Sequence, residues 1–136
     1  MIKKEIQKIA LYYNIKVEFK NRELTKESEK EFHDRVDWED IFSFQTLSEE
    51  FIERFQDKAY WYEISWRQEL SEEFIERFQD KVDWNNISYK QKLSEEFIMK
   101  FKNKVNWEWI EERQELTPRL RKEIKKQKLI QQVIES

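Results

Sequence analysis

The side chains that could do chemistry are few in kind and repetitive in placement. His33 is the single histidine, and Ser28, His33 and Asp37 lie close enough to be drawn as a nucleophile, a base and an orienting acid. They read instead as helix-surface and cap residues, with no strained elbow or oxyanion loop beside them. The positions equivalent to His33 hold Gln56, Gln79 and Lys102, so the place tolerates many residues and an ordinary surface histidine is expected. Carboxylate pairs occur at Glu49-Glu50, Glu72-Glu73 and Glu95-Glu96. Their recurrence at one fixed interval favours a structural role over an active site. The chain has no Cys and no Gly, which excludes thiolate metal sites, disulfides and Gly-rich phosphate loops. Neither catalysis nor a cofactor or metal is expected.

Aromatic residues carry more information. Trp38, Trp61, Trp84 and Trp107 recur with Ile41, Ile64, Ile87 and Ile110 three residues later, the spacing of a packed helix face. A buried column is therefore expected of them, rather than a base-stacking row. Phe44, Tyr62, Trp66, Tyr89 and Trp109 break that pattern and fall on positions that should face outward. Tyr62 and Trp66 are one helical turn apart, and Tyr89 stands one interval beyond Trp66. They are the candidate binding residues, because exposed Trp and Tyr dominate interaction hot spots. The plainer alternatives are a cover for the core edge or a self-association surface.

The elements that must position these residues come from a 23-residue repeat. Leu24, Leu47, Leu70, Leu93 and Leu116 open successive units, followed at once by Thr25, Ser48, Ser71, Ser94 and Thr117. Phe32, Phe55, Phe78 and Phe101 occupy the ninth place, and Gln45, Gln68, Gln91 and Gln114 the twenty-second. Each Ser or Thr is a helix N-cap, the Glu pairs complement the positive end of the helix dipole, and Pro118 sits at a first-turn position. Asp37, Asp83 and Asn106 cap a second helix in three of the four units. The Gln column is expected to form a hydrogen-bonded ladder at the corners, with a ligand-reading row as the alternative.

Helices this short are marginal alone, so stacking must bury their apolar faces. The expected fold is all-α, an α-solenoid forming a single domain over 1–136. Units span 24–46, 47–69, 70–92 and 93–115. Residues 1–23 read as a degenerate N-terminal cap, with Ile2, Ile6, Ile9 and Tyr13 on one helical face and Asn14 at the second-helix cap. Residues 116–136 read as a C-terminal capping helix bearing Leu120, Ile124, Ile130 and Val133. With no Gly and one Pro, helices joined by tight corners are expected and a β-rich or loop-rich fold is not.

The net charge of −3 conceals a gradient: +3 over 1–23, −10 over 24–115 and +4 over 116–136. Acidic helix starts would stack into a ladder near Arg54, Arg77 and Lys100, which suggests a solvated surface or a mimic of nucleic-acid phosphates. No apolar run approaches the roughly 20 residues that span a bilayer, and no signal-peptide core is evident. A cytoplasmic protein without a membrane partner is expected.

The pattern L-S-E-E-F-I…V-D-W-x-x-I-S-x-x-Q, over about residues 24–115, resembles short repeats of uncharacterised proteins from phages, AT-rich bacteria and large DNA viruses. The unit length and hydroxyl cap also resemble leucine-rich-variant solenoids in architecture, with Phe and Trp replacing that family's Leu and Val. The expected function is a non-enzymatic protein-interaction module. With the acidic body, the resemblance extends this to a phage-encoded inhibitor of a bacterial defence nuclease, such as an anti-CRISPR protein. The alternative is a nucleic-acid-binding protein using its basic ends, especially Lys122, Lys125, Lys126 and Lys128.

Overall fold

The computed structural model describes residues 2–136. Every expected cap hydroxyl accepts a backbone amide three residues on: Thr25 from Ser28, Ser48 from Phe51, Ser71 from Phe74, Ser94 from Phe97 and Thr117 from Leu120, all at 3.1–3.3 Å. Asp37, Asp83 and Asn106 do the same for Asp40, Asn86 and Trp109 at 3.0, 3.0 and 3.2 Å. The repeat is geometric as well as textual. Ser48, Ser71 and Ser94 adopt φ/ψ of −75/156°, −72/154° and −75/157°.

These caps open an all-α succession. Between residues 24 and 115 lie α2 (Lys26–Arg35), α3 (Trp38–Phe44), α4 (Glu49–Arg54), α5 (Trp61–Arg67), α6 (Glu72–Arg77), α7 (Trp84–Lys90), α8 (Glu95–Lys100) and α9 (Trp107–Arg113). That is two helices per repeat, as the spacing requires. Helix α1 (Ile2–Tyr12) precedes them and α10 (Pro118–Glu135) follows. The chain divides into two compact units, Met1–Tyr60 and Trp61–Ser136. The division falls inside the repeat 47–69, between α4 and α5.

In the first unit Phe32, Ile41, Phe42, Phe51 and Ile52 are fully buried, and Ile6, Ile9 and Ala10 of α1 join the core. The segment before residue 24 departs from the expected degenerate repeat. Asn14 is not a helix N-cap: at φ 55° it ends α1, with its amide on the Leu11 carbonyl (3.1 Å) and the Ile15 amide on that of Ala10 (2.8 Å). This is the hydrogen-bond pattern of a Schellman C-cap, in which Asn replaces the usual Gly. Strands β1 (Phe19–Lys20) and β2 (Glu23–Leu24) then pair antiparallel around a two-residue turn, Asn21 and Arg22, at φ 54° and 68°. The lack of Gly did not prevent a hairpin. Left-handed backbone costs a non-Gly residue about 1–2 kcal/mol, borne here by Arg22 and, more easily, by Asn21.

In the second unit α5, α7 and α9 stack in sequence, and α10 packs on α9. Ile64, Ile75, Ile87, Ile98 and Ile110 are wholly buried, with Phe74, Phe78, Phe97 and Phe101 around them. Trp61 and Trp84 reach forward onto the Phe that closes the next repeat's first helix. Trp61 lies 5.2 Å from Phe78 and Trp84 lies 5.3 Å from Phe101, centroid to centroid, while in the first unit Trp38 lies 5.1 Å from Phe55. The column is less deep than expected: Trp38 is buried, but Trp61, Trp84 and Trp107 are only half-buried. Their rings span from core to rim, and the Nε1 of Trp84 and Trp107 donate to the carbonyls of Gln79 and Lys102 at 2.9 Å. Helix α10 packs on α9 through its first turns, and the rest of its expected apolar face is uncovered. Leu120 and Ile124 are buried, whereas Leu129, Ile130, Val133 and Ile134 are exposed.

Candidate interaction surface

Two hydrogen-bonded relays hold successive second helices of the second unit in register. Ser65 Oγ donates to the Trp61 carbonyl (2.7 Å) and accepts the Asp83 amide (2.9 Å); Ser88 repeats this with Trp84 and Asn106 at the same distances. Both serines are completely buried. Gln91 Nε2 donates to the carbonyls of Ser65 (3.0 Å) and Gln68 (2.7 Å), and its Oε1 accepts the Leu70 amide (3.0 Å). Gln114 repeats all three bonds with Ser88, Gln91 and Leu93. Gln91 and Gln114 thus form the expected corner ladder, with their amide donors spent on backbone rather than free to read a ligand.

This scaffold sets the outward rings side by side. Trp66 stacks on Tyr89 at 5.2 Å with planes 15° apart, and Tyr89 meets Trp109 edge-on at 4.7 Å and 84°. Such pairs are worth about 0.5–1.5 kcal/mol each beyond area burial. Two cations lie over the row: Lys90 Nζ stands 4.8 Å from the Trp66 centroid and Arg113 Cζ 4.3 Å from that of Tyr89. The three rings are half-buried rather than freely exposed, because they cover one another and two of them, Trp66 and Tyr89, lie beneath these cations. Tyr62, one turn before Trp66 on α5, is 60% exposed, and its carbonyl accepts the Asn86 side chain at 3.1 Å. Phe44 belongs to the first unit, at the end of α3, and is 74% exposed. The row described here consists of residues of the second unit. Lys90 and Arg113 were not singled out from the sequence. The signal was present in Arg67, Lys90 and Arg113, which recur one residue after the places of Trp66 and Tyr89.

The other candidate surface is largely occupied. Glu72 accepts both the amide (2.6 Å) and hydroxyl (2.9 Å) of Ser94, Glu95 accepts the Thr117 hydroxyl, and in the first unit Glu5 does the same for Ser48. Arg54 pairs with Glu29, Lys100 with Glu76, and Arg119 with both Glu95 and Glu96. The helix-start acids and the basic row therefore stitch repeats to one another. Glu50 and Glu73 remain exposed. On α10, Lys122, Lys125, Lys126 and Lys128 are exposed, with Lys128 reaching Glu111 at 2.8 Å.

The three residues of the notional triad serve separate ends. Ser28 Oγ accepts the Glu18 amide (2.8 Å), Asp37 caps α3, and His33 Nε2 meets Asp57 at 3.0 Å while its ring packs edge-on against Trp38. His33 is half-buried and joins two repeats, which is more than the surface role expected of it. The hydrogen bond from His33 holds the Asp57 carboxyl below the usual range, against a smaller opposing effect of desolvation. Among the described residues no group of three or more His, Asp or Glu is placed to hold a metal, and no helix is long and apolar enough to cross a membrane. No protein-family profile matches the chain, and no curated protein or solved structure is significantly similar to it.

Proposed function

We propose that this chain is a non-enzymatic protein-interaction module whose contact surface is the row Trp66, Tyr89 and Trp109, with Tyr62 beside it. One observation carries the reading: three large rings on consecutive second helices pack on one another at the surface, when the same helices already supply the core with Ile64, Ile87 and Ile110. Rings held rigid by their neighbours lose little side-chain freedom when a partner covers them, and this is what makes aromatic anchors efficient. The finer expectation is a phage-encoded inhibitor that offers its acidic helix starts to a basic groove, as an anti-CRISPR protein would to a nuclease. It draws less support, because Glu72 and Glu95 already bridge to the next cap. The basic face of α10 is the alternative, with nucleic acid as its ligand.

The test is binding to a partner recovered by affinity purification, measured at low and physiological salt. Trp66→Ala should weaken binding by about 2 kcal/mol or more, with little salt dependence, because an apolar anchor is not screened. Glu73→Lys is the charge control; Glu72 is left intact because its carboxylate holds Ser94. A silent Trp66→Ala, together with an affinity that collapses as salt rises, would place the contact elsewhere.

A further inference from the structure

We infer that the segment seated on this row is acidic: a stretch of polypeptide whose carboxylate is held by Lys90 and Arg113 while a neighbouring apolar side chain lies on the rings of Trp66, Tyr89 and Trp109. The inference rests on the protein-interaction reading and names the chemistry of the partner.

Several cations of the acidic body are paired with carboxylates. Arg67 is held by Glu63, Lys100 by Glu76 and Lys104 by Asp80. Lys90 and Arg113 are engaged by no carboxylate among the described residues, although residues 24–115 carry a net charge of −10. They lie over rings instead. A ring face satisfies the charge in part and leaves the N–H donors pointing elsewhere; an ammonium has three and a guanidinium five. Both residues also line one open cleft of about 500 Å³ at the C-terminal ends of α7 and α9, together with Tyr89 and Lys92. A carboxylate entering there would meet charge-assisted donors beside the Tyr89 ring, the end of the row that lines the cleft, and charge-assisted bonds are about twice as strong as neutral ones.

The surroundings limit how much negative charge the occupant can carry. Glu112 and Glu115 line the same cleft, and Glu108 and Glu111 are exposed on α9. A nucleic-acid strand brings a phosphate at every nucleotide and would meet these acids along its length. A peptide can place one or two carboxylates at the cations and keep the rest of its contact apolar. Charge complementarity therefore selects an acidic peptide segment over a polyanion.

The test selects displayed random peptides, about a dozen residues long, on the full-length chain. The Lys90→Gln/Arg113→Gln double variant keeps the side-chain stems, and near-ultraviolet circular dichroism checks that its rings stay packed. Enriched sequences should place Asp or Glu next to an aromatic residue or Leu. The synthesised consensus peptide should bind about tenfold or more weakly to the double variant, and its Asn/Gln counterpart about tenfold or more weakly to the wild type, the range expected for losing charge-assisted bonds. The Asn/Gln peptide should also be indifferent to the double substitution. An amide peptide that binds as well as the acid, while Trp66→Ala abolishes both, would overturn the acidic assignment and leave the interaction reading standing. Binding unaffected by Trp66→Ala, or no sequence enriched above background, counts against both. Displacement of the peptide by single-stranded oligothymidylate overturns the inference in favour of nucleic acid.

Discussion

Truncating Gln91 to Ala deletes three hydrogen bonds in one step: two from Nε2 to the carbonyls of Ser65 and Gln68, and one to Oε1 from the Leu70 amide. Each intramolecular bond contributes about 0.5–1.5 kcal/mol net, and a buried group left unpaired costs about 1–3 kcal/mol. Gln91 is only 7% exposed, so water reaches the vacated groups poorly. We expect a loss of about 3 kcal/mol, a large share of the roughly 5–15 kcal/mol that a domain has in total. Gln114 makes the same three bonds from a half-buried position. Water can replace part of them there, and Gln114→Ala should cost about 1–1.5 kcal/mol. Urea unfolding followed by Trp fluorescence supplies both values, and hydrogen exchange supplies the local one, since the Leu70 amide should lose protection in Gln91→Ala. Gln91→Glu should make the loss depend on pH. It puts a carboxylate against two carbonyls, so its pKa is raised in the folded state and stability should recover as pH falls. Equal midpoints for the two Ala variants, or an unchanged Leu70 exchange rate, would refute the reasoning.

Ser65→Ala should cost about 1–3 kcal/mol by removing a fully buried hydroxyl and stranding the part-buried Asp83 amide; calorimetry or urea titration checks it, and a loss near zero would show that water fills the gap. The phenol of Tyr13 is pushed well above its ordinary value, first by burial and then by its 2.6 Å hydrogen bond to Asp40. Because the folded-state pKa is the higher one, the contribution of this group is complete below about pH 10 and fades as pH rises beyond it. Asp40→Asn should let Tyr13 ionise at lower pH, seen as phenolate absorbance, while an unmoved titration would mean that Asp40 does not set it.

The caps, the two-helix rhythm and the core columns were legible because each depends on residues within one turn of the backbone. Ser48, Ser71 and Ser94 announce helix starts through their own hydroxyls, whatever lies around them. Depth was less legible. Periodicity showed which way Trp61, Trp84 and Trp107 point, but not that a ring this large on a seven-residue helix would extend to the rim. The hairpin was hidden for a different reason. Glycine's absence is a sound argument against left-handed backbone only where nothing else accepts it, and Asn21 does so readily, taking Arg22 with it. The aromatic row was visible as outward positions, yet its stacking and its cations depend on the offset between neighbouring helices. The same holds for Glu72 and Glu95. Each stands at a dipole-favoured helix start in its own repeat, while its carboxylate closes the cap of the next, a partner 22 residues away that local rules cannot supply.

Because Gln91 does for the preceding repeat what Gln114 does for its own predecessor, each junction in the second unit presents the same face to either neighbour. An in-frame loss of residues 70–92 would bring Gln114 to the carbonyls now served by Gln91, and Leu93 to the place of Leu70. Duplication of the same segment would add one more copy of every bond. The gene can therefore lengthen or shorten this array by whole units without mending a seam, and each such event changes the aromatic row by one ring. Loss of 70–92 removes Tyr89 and leaves Trp66 and Trp109 on consecutive helices, while duplication supplies a second Tyr89. On the proposed reading, the number of repeats sets how many rings the surface offers a partner.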